Sequence, residues 1–242
     1  MEDPPEWPKA FRRARLRRGF DFHRWFQPSL KLRLAYARVG LFLYMRKQKG
    51  ILKFLHEAEK LKTLLRHSWL SNGRRESVAE HSWRMALMAV VFYPYLQKKN
   101  RPNLEKTLMM ILAHDLPEIY ATDVPAWKKF RQKSGWRKKR HKSELAALKK
   151  LIKTLGKNQQ RQIIALWEEF ELGRTKEAKL AQVLDKMEAN FQHNEALLKT
   201  WNKGDHRIHF TRGVKEAEYD EFLKAFRELG NKEARRKIKI GK

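Results

Sequence analysis

The chain has 242 residues, 42% of them hydrophobic, with eight Trp and thirteen Phe, so it can bury a sizeable core and is not a wholly disordered chain. It contains no cysteine, which excludes disulfides and thiolate metal sites and leaves His, Asp and Glu to hold any metal. The formal charge of +28 favours anionic company, whether nucleic acid, an anionic membrane surface or an anionic substrate; a plain solvated basic surface is the simpler alternative.

Residues 1–50 hold thirteen Lys/Arg against four Asp/Glu. In "FRRARLRRGFDFHRWFQPSLKLRLAYARVG" basic residues interleave with aromatics without a sustained helical stripe. This reads as a basic N-terminal extension. It is either an arm for nucleic acid or a membrane surface, or a poorly ordered stretch upstream of a natural start at Met45. No secretory signal is visible, and the longest apolar windows, residues 32–45 and 85–96, are too short or too interrupted to span a bilayer. A cytoplasmic protein is the expectation.

From Gly50 onward, sparse Pro and Gly and recurrent apolar spacings of three and four predict helices over residues 51–66, 77–96, 104–115, 143–155, 159–170, 176–201 and 214–229. No β-run and no repeat is evident, and the basic tail 231–242 reads as frayed and solvated. Residues 128–142 hold nine Lys/Arg and no acid. That segment is a candidate for substrate capture or nucleic-acid contact, or is a charged loop.

Three stretches carry possible chemistry. Ser77-Val78-Ala79-Glu80 has capping-box form, which starts a helix at Ser77 and sets His81 at the end of its first turn, facing the space between helices. A satisfied core histidine is the simpler reading of His81 alone. The run "LMMILA" ends abruptly in His114-Asp115, and burying an ionised Asp beside a His is costly unless a metal or another charge compensates. Glu118 follows Asp115 at helical spacing if the helix survives Pro117, and Asp123 follows in turn. In "EAKLAQVLDKMEANFQ" the column Ala178, Ala181, Asp185, Ala189, Gln192 sends one carboxylate inward among small residues, unless Asp185 is a surface acid.

"ESVAEHSW", "AHDLPEIYATDVP" and "AQVLDKME" together resemble the HD-domain phosphohydrolases, in the branch that holds bacterial 5′-deoxynucleotidases and the eukaryotic HD domain-containing protein 2. The likeness runs from about Ile51 to Leu229, includes "ALWEEFELGRTKEAKLAQVLDK", and leaves residues 1–50 uncovered. It implies an all-α bundle of six or seven helices over residues 51–230. It also implies one divalent ion (Mn²⁺, Co²⁺ or Mg²⁺) on His81, His114, Asp115 and Asp185.

The same resemblance makes Glu118 the group that orients or deprotonates the attacking water, and Asp123 a second pocket acid. It makes Arg66, fifteen residues before His81, a phosphate ligand, with Trp69, Arg74, Arg75 and Glu76 at the pocket mouth. The implied reaction is hydrolysis of (deoxy)nucleoside 5′-monophosphates by a homodimer. The rival expectations are a phosphodiesterase, another phosphomonoesterase, or a basic nucleic-acid-binding protein with an inactive site. The basic segment 128–142 is a departure from the family pattern.

Overall fold

In the computed structural model the described residues are 30–121 and 135–241. The chain divides into two compact units at Gln48, and Lys49–Lys242 carries the features that follow. Helix α1, Leu30–Ala58, passes through that division, so a helix occupies the part of the N-terminal stretch in which no helical stripe is legible. At Gly50 a Cβ would lie 2.2 Å from the backbone oxygen of Thr154, whose hydroxyl donates to the Gly50 carbonyl at 2.9 Å. Only glycine permits that approach.

The helix expected over 51–66 stops early. After Ala58 the chain makes a 3₁₀ turn, Glu59–Lys62, and then strand β1, Leu65–Trp69, pairs antiparallel with β2, Arg75–Ser77. The turn between them closes through Gly73, whose φ of 85° is left-handed, with its N–H donating to Leu70 O at 3.0 Å. This ribbon corrects the expectation of no strand. Leu61, Leu64 and Leu65 satisfy helical spacing, but the alternation that matters buries Arg66 and Ser68, polar residues that no hydrophobic pattern would mark.

Helix α2, Val78–Phe92, starts at the expected cap. Ser77 Oγ accepts from Glu80 N at 3.2 Å and Glu80 Oε2 accepts from Ser77 N at 2.8 Å, so both arms of the box are made. Helix α3, Leu104–Ala113, is capped by Asn103, and the short α4, Glu118–Ala121, follows it. Helix α5, Trp136–Ile152, takes in the end of the basic segment; residues 128–134 and Asp123 lie outside the described residues. Then come α6, Lys157–Leu172, and α7, Lys176–Glu195, capped by Thr175. The helix expected over 214–229 is two. Helix α8, Lys203–Ile208, precedes α9, Val214–Ala217; the chain then breaks at Asp220, which caps α10, Glu221–Ile240, by accepting from Phe222 N at 3.0 Å. The tail expected to fray from residue 231 is instead the second half of α10, with Asn231 and Ala234 buried.

The helices pack around α7, which is buried along most of its length and contacts α2, α3, α6 and α10. Met85, Met110, Ile111, Leu180, Leu184, Met187 and Leu223 are each at most 1% exposed and form the middle of the core. Among the described residues no helix is long and apolar enough to cross a membrane.

Candidate active site and metal centre

Three helices and the two-stranded ribbon deliver polar side chains into this apolar interior. The capped start of α2 supplies His81, which is fully buried; the end of α3 supplies His114 and Asp115; α7 supplies Asp185 and Glu188; and β1 with β2 supplies Arg66 and Glu76. His81 Nε2 lies 3.3 Å from Asp185 Oδ1, and His114 Nε2 lies 3.1 Å from Asp115 Oδ2. His81, His114 and Asp115 each offer a ligand atom within 4.8 Å of the others. The structure thus gathers the four expected metal-binding residues, which lie up to 104 positions apart, into one place.

The ring nitrogens are assigned by their surroundings. His114 Nδ1 sits 2.6 Å from the Ile111 carbonyl, so it carries the proton and leaves Nε2 with its lone pair facing inward. His81 Nδ1 donates to Glu188, which turns its Nε2 inward in the same way. His81 Nε2, His114 Nε2 and Asp115 Oδ2 are buried without a hydrogen-bond partner. Buried polar atoms are otherwise almost always hydrogen-bonded. Two imidazole nitrogens and one carboxylate oxygen left so, with the Asp185 carboxylate beside them, fit a divalent cation of hard to borderline character.

The electrostatics agree. Burial pushes the carboxyls of Asp115 and Asp185 up, but their neighbours prevail, His114, His81 and Arg66 at Asp115 and His81 and Arg212 at Asp185, so both stay ionised well below the usual range. Burial and Arg66 lower the pKa of His81, yet Glu188 and Asp185 outweigh them and raise it to about 9.

Glu188 was not legible in the sequence as a functional residue. It is 0% exposed, its carboxylate is shared between His81 Nδ1 and Arg84 Nε at 2.8 Å, and Arg84 also pairs with Glu195. Burial raises its pKa, but His81 and Arg84 win and hold it down to about 2. The available signal is spacing: Glu188 is one helical turn after Asp185, and Arg84 one turn after His81. Glu76 is also interior, at 1% exposed, where burial above all raises its pKa to about 7.

Arg66 links these groups, with Nε 3.1 Å from Glu76 and Nη1 3.5 Å from Asp115 Oδ2. Trp69 stands on the other face of β1 from Arg66; it is half-buried, and the Arg75 guanidinium lies 5.0 Å over its ring. The exposed Arg74 turns to the half-buried Glu80. Glu118 is buried at the start of α4, its N–H donating to Asp115 O at 3.0 Å, so the two acids share one turn despite Pro117. From the basic segment Arg140 turns inward to Glu144 at 2.6 Å, and Glu118 and Glu171 add to the negative field around it.

A second polar cluster adjoins the first. His67 Nε2 meets Asp205 Oδ2 at 2.8 Å, and His193 and His209 stand beside it around Trp201. Burial lowers the pKa of His193 to about 4 and that of His209 to about 3, so both are neutral.

A family model described as HD domain matches residues 58–227. The chain belongs to the HD domain family. Other HD domains similar to it include the 5′-deoxynucleotidase HDDC2 of Homo sapiens, 31% identical over 150 residues that cover 61% of this chain and 68% of that protein. The mouse protein of the same name is 30% identical over 149 residues, 60% of this chain and 69% of its own length. Among solved structures, a predicted metal-dependent phosphohydrolase from Magnetospirillum magnetotacticum superposes with a TM-score of 0.64 at 26% identity, covering 79% of this chain and 97% of that one. A conserved hypothetical protein from Pyrococcus furiosus gives 0.56 at 26% identity, covering 76% and 99%.

Proposed function

We propose that this HD domain is a metal-dependent 5′-nucleotidase that hydrolyses (deoxy)nucleoside 5′-monophosphates to nucleoside and phosphate. The observation that carries it is the convergence of His81 Nε2, His114 Nε2 and Asp115 Oδ2, buried without hydrogen bonds, with Asp185 beside them and a guanidinium at Asp115. His81, His114, Asp115 and Asp185 hold one divalent ion, Mn²⁺, Co²⁺ or Mg²⁺, which supplies Lewis acidity toward the phosphoryl group and its water. Arg66 binds phosphate oxygens, steadied by Glu76. Glu118 receives the proton of the attacking water, and Asp123 is a second acid that helps return a proton to the leaving 5′ oxygen.

The name borne by the mammalian relatives supports the nucleotide part of this reading, and the site supports phosphoryl chemistry. The test is phosphate release from a panel of ribo- and deoxyribonucleoside 5′-monophosphates by protein reconstituted with each ion. Metal-loaded protein that releases phosphate from none of them refutes it.

The HD domain acts as a homodimer in this reading. Trp83, Leu87, Val90 and Val91 form an apolar stripe on α2, between 46% and 64% exposed, which a second copy would cover. The basic residues among 1–44 add weak nucleic-acid contact in this reading, so a chain starting at Met45 keeps turnover and loses that binding.

A further inference from the structure

Arg212 sits in the turn between α8 and α9, in no stretch that the sequence marked. Its side chain is 17% exposed, and Nη2 lies 3.9 Å from Asp185 Oδ1. Among the described residues it makes no hydrogen bond and has no other ion pair. A guanidinium is a fork of N–H donors that normally finds acceptors when it is covered.

Its backbone, by contrast, is firmly held. Arg212 N donates to Ile208 O at 2.7 Å, and its carbonyl accepts from Arg227 Nε at 3.2 Å and Nη2 at 3.0 Å. Arg227 is 8% exposed and also donates to Phe210 O at 2.8 Å, so a buried arginine is committed to fixing this one turn. The next residue, Gly213, has a left-handed φ of 75°, and a Cβ there would meet Lys186 Cβ at 3.0 Å.

A positive group beside a carboxylate that must hold a cation works against that cation. Arg66 does this at Asp115 and Arg212 at Asp185, from two different elements. Two such charges make sense when the ligand is itself an anion that meets the cation and both guanidiniums together. A phosphomonoester dianion fits better than a diester, because it offers one more non-ester oxygen and one more negative charge.

Building on the phosphohydrolase reading above, we infer that Arg212 is a second phosphate-binding residue that selects terminal phosphate groups, and that Arg227 positions it. The test compares wild type, Arg212→Ala, Arg212→Lys and Arg227→Lys with Lys215→Ala, an exposed neighbour that controls for loss of one charge. Inorganic phosphate affinity is read by calorimetry on the metal-loaded proteins, and metal content by elemental analysis. Arg212→Ala should weaken phosphate binding at least about 10-fold and lower kcat/KM on a monoester about 10²-fold, the size of losing one transition-state donor. The loss on a diester such as bis(p-nitrophenyl) phosphate should be smaller.

Metal content should hold or rise, since a repelling charge has gone. Arg212→Lys should recover only part, as a point charge without the fork. Arg227→Lys should shift phosphate affinity in the same direction as Arg212→Ala, while circular dichroism stays native. Phosphate affinity of Arg212→Ala within twofold of wild type overturns the inference while leaving the phosphohydrolase reading intact. A fall in its metal content also overturns it, because Arg212 would then be supporting Asp185. Wild type that neither binds nor releases phosphate removes the reading beneath both.

Discussion

Replacing Glu188 tests whether the metal site is built from the second layer outward. In Glu188→Gln the shape is kept, but the amide can accept from only one of the two donors that now share the carboxylate, His81 Nδ1 and Arg84 Nε. His81 then loses the anion that fixes its tautomer and makes its Nε2 more basic. Substitutions of this kind cost roughly 10–100-fold in metal affinity, or about 1.4–2.7 kcal/mol. Glu188→Ala is harsher, because Glu188 is 0% exposed and its removal leaves buried charge uncompensated. That loss is about 3–5 kcal/mol of stability. Chelator competition with Mn²⁺ measures the first effect, and urea melts of the metal-free protein measure the second. Wild-type Mn²⁺ affinity in Glu188→Gln would refute the reasoning, since neither the tautomer nor the basicity of His81 would then depend on its buried partner.

Three further outcomes follow from the same structure. Glu118→Gln should keep its metal by elemental analysis and lose turnover by roughly 10²–10⁴-fold, the share of a general base; wild-type kcat would remove Glu118 from the mechanism. His209, 1% exposed with neither ring nitrogen hydrogen-bonded, has its pKa lowered by burial to about 3 from an ordinary 6.5, so its stabilising effect is full above pH 6.5 and lost as pH falls toward 3. His209→Phe should therefore gain on wild type by about 1.4 kcal/mol per pH unit below pH 6.5, read by melts at pH 7.5, 6 and 5; a constant gap would refute this. Gly50→Ala places a Cβ 2.2 Å from Thr154 O, so an overpacking cost of about 1–3 kcal/mol should exceed the roughly 1 kcal/mol of helix propensity gained. A stabilised variant by urea melt would show that α1 shifts freely there.

What the sequence determined by itself was local. The Ser77–Glu80 box, the apolar run of α2 and the stop of α3 at His114-Asp115 depend on contacts within a few residues, so spacing alone placed His81 at a helix start, while for Asp185 it left an inward and a surface reading open. The resemblance tied these pieces into one expected ligand set.

What only the tertiary structure decided was pairing between distant segments. Leu65–Trp69 became a strand because β2 offered an edge, and its buried face carries Arg66, whose burial is explained by Glu76 and Asp115 rather than by hydrophobicity. Glu188 looked like any helical glutamate until Arg84 and His81 closed on it from α2. Arg212 was one cation among 55 until Arg227, on another helix, fixed its turn beside Asp185. A charge in a sequence has no address. Its energy depends on which opposite charges and how much water surround it, and those are set only when the helices pack.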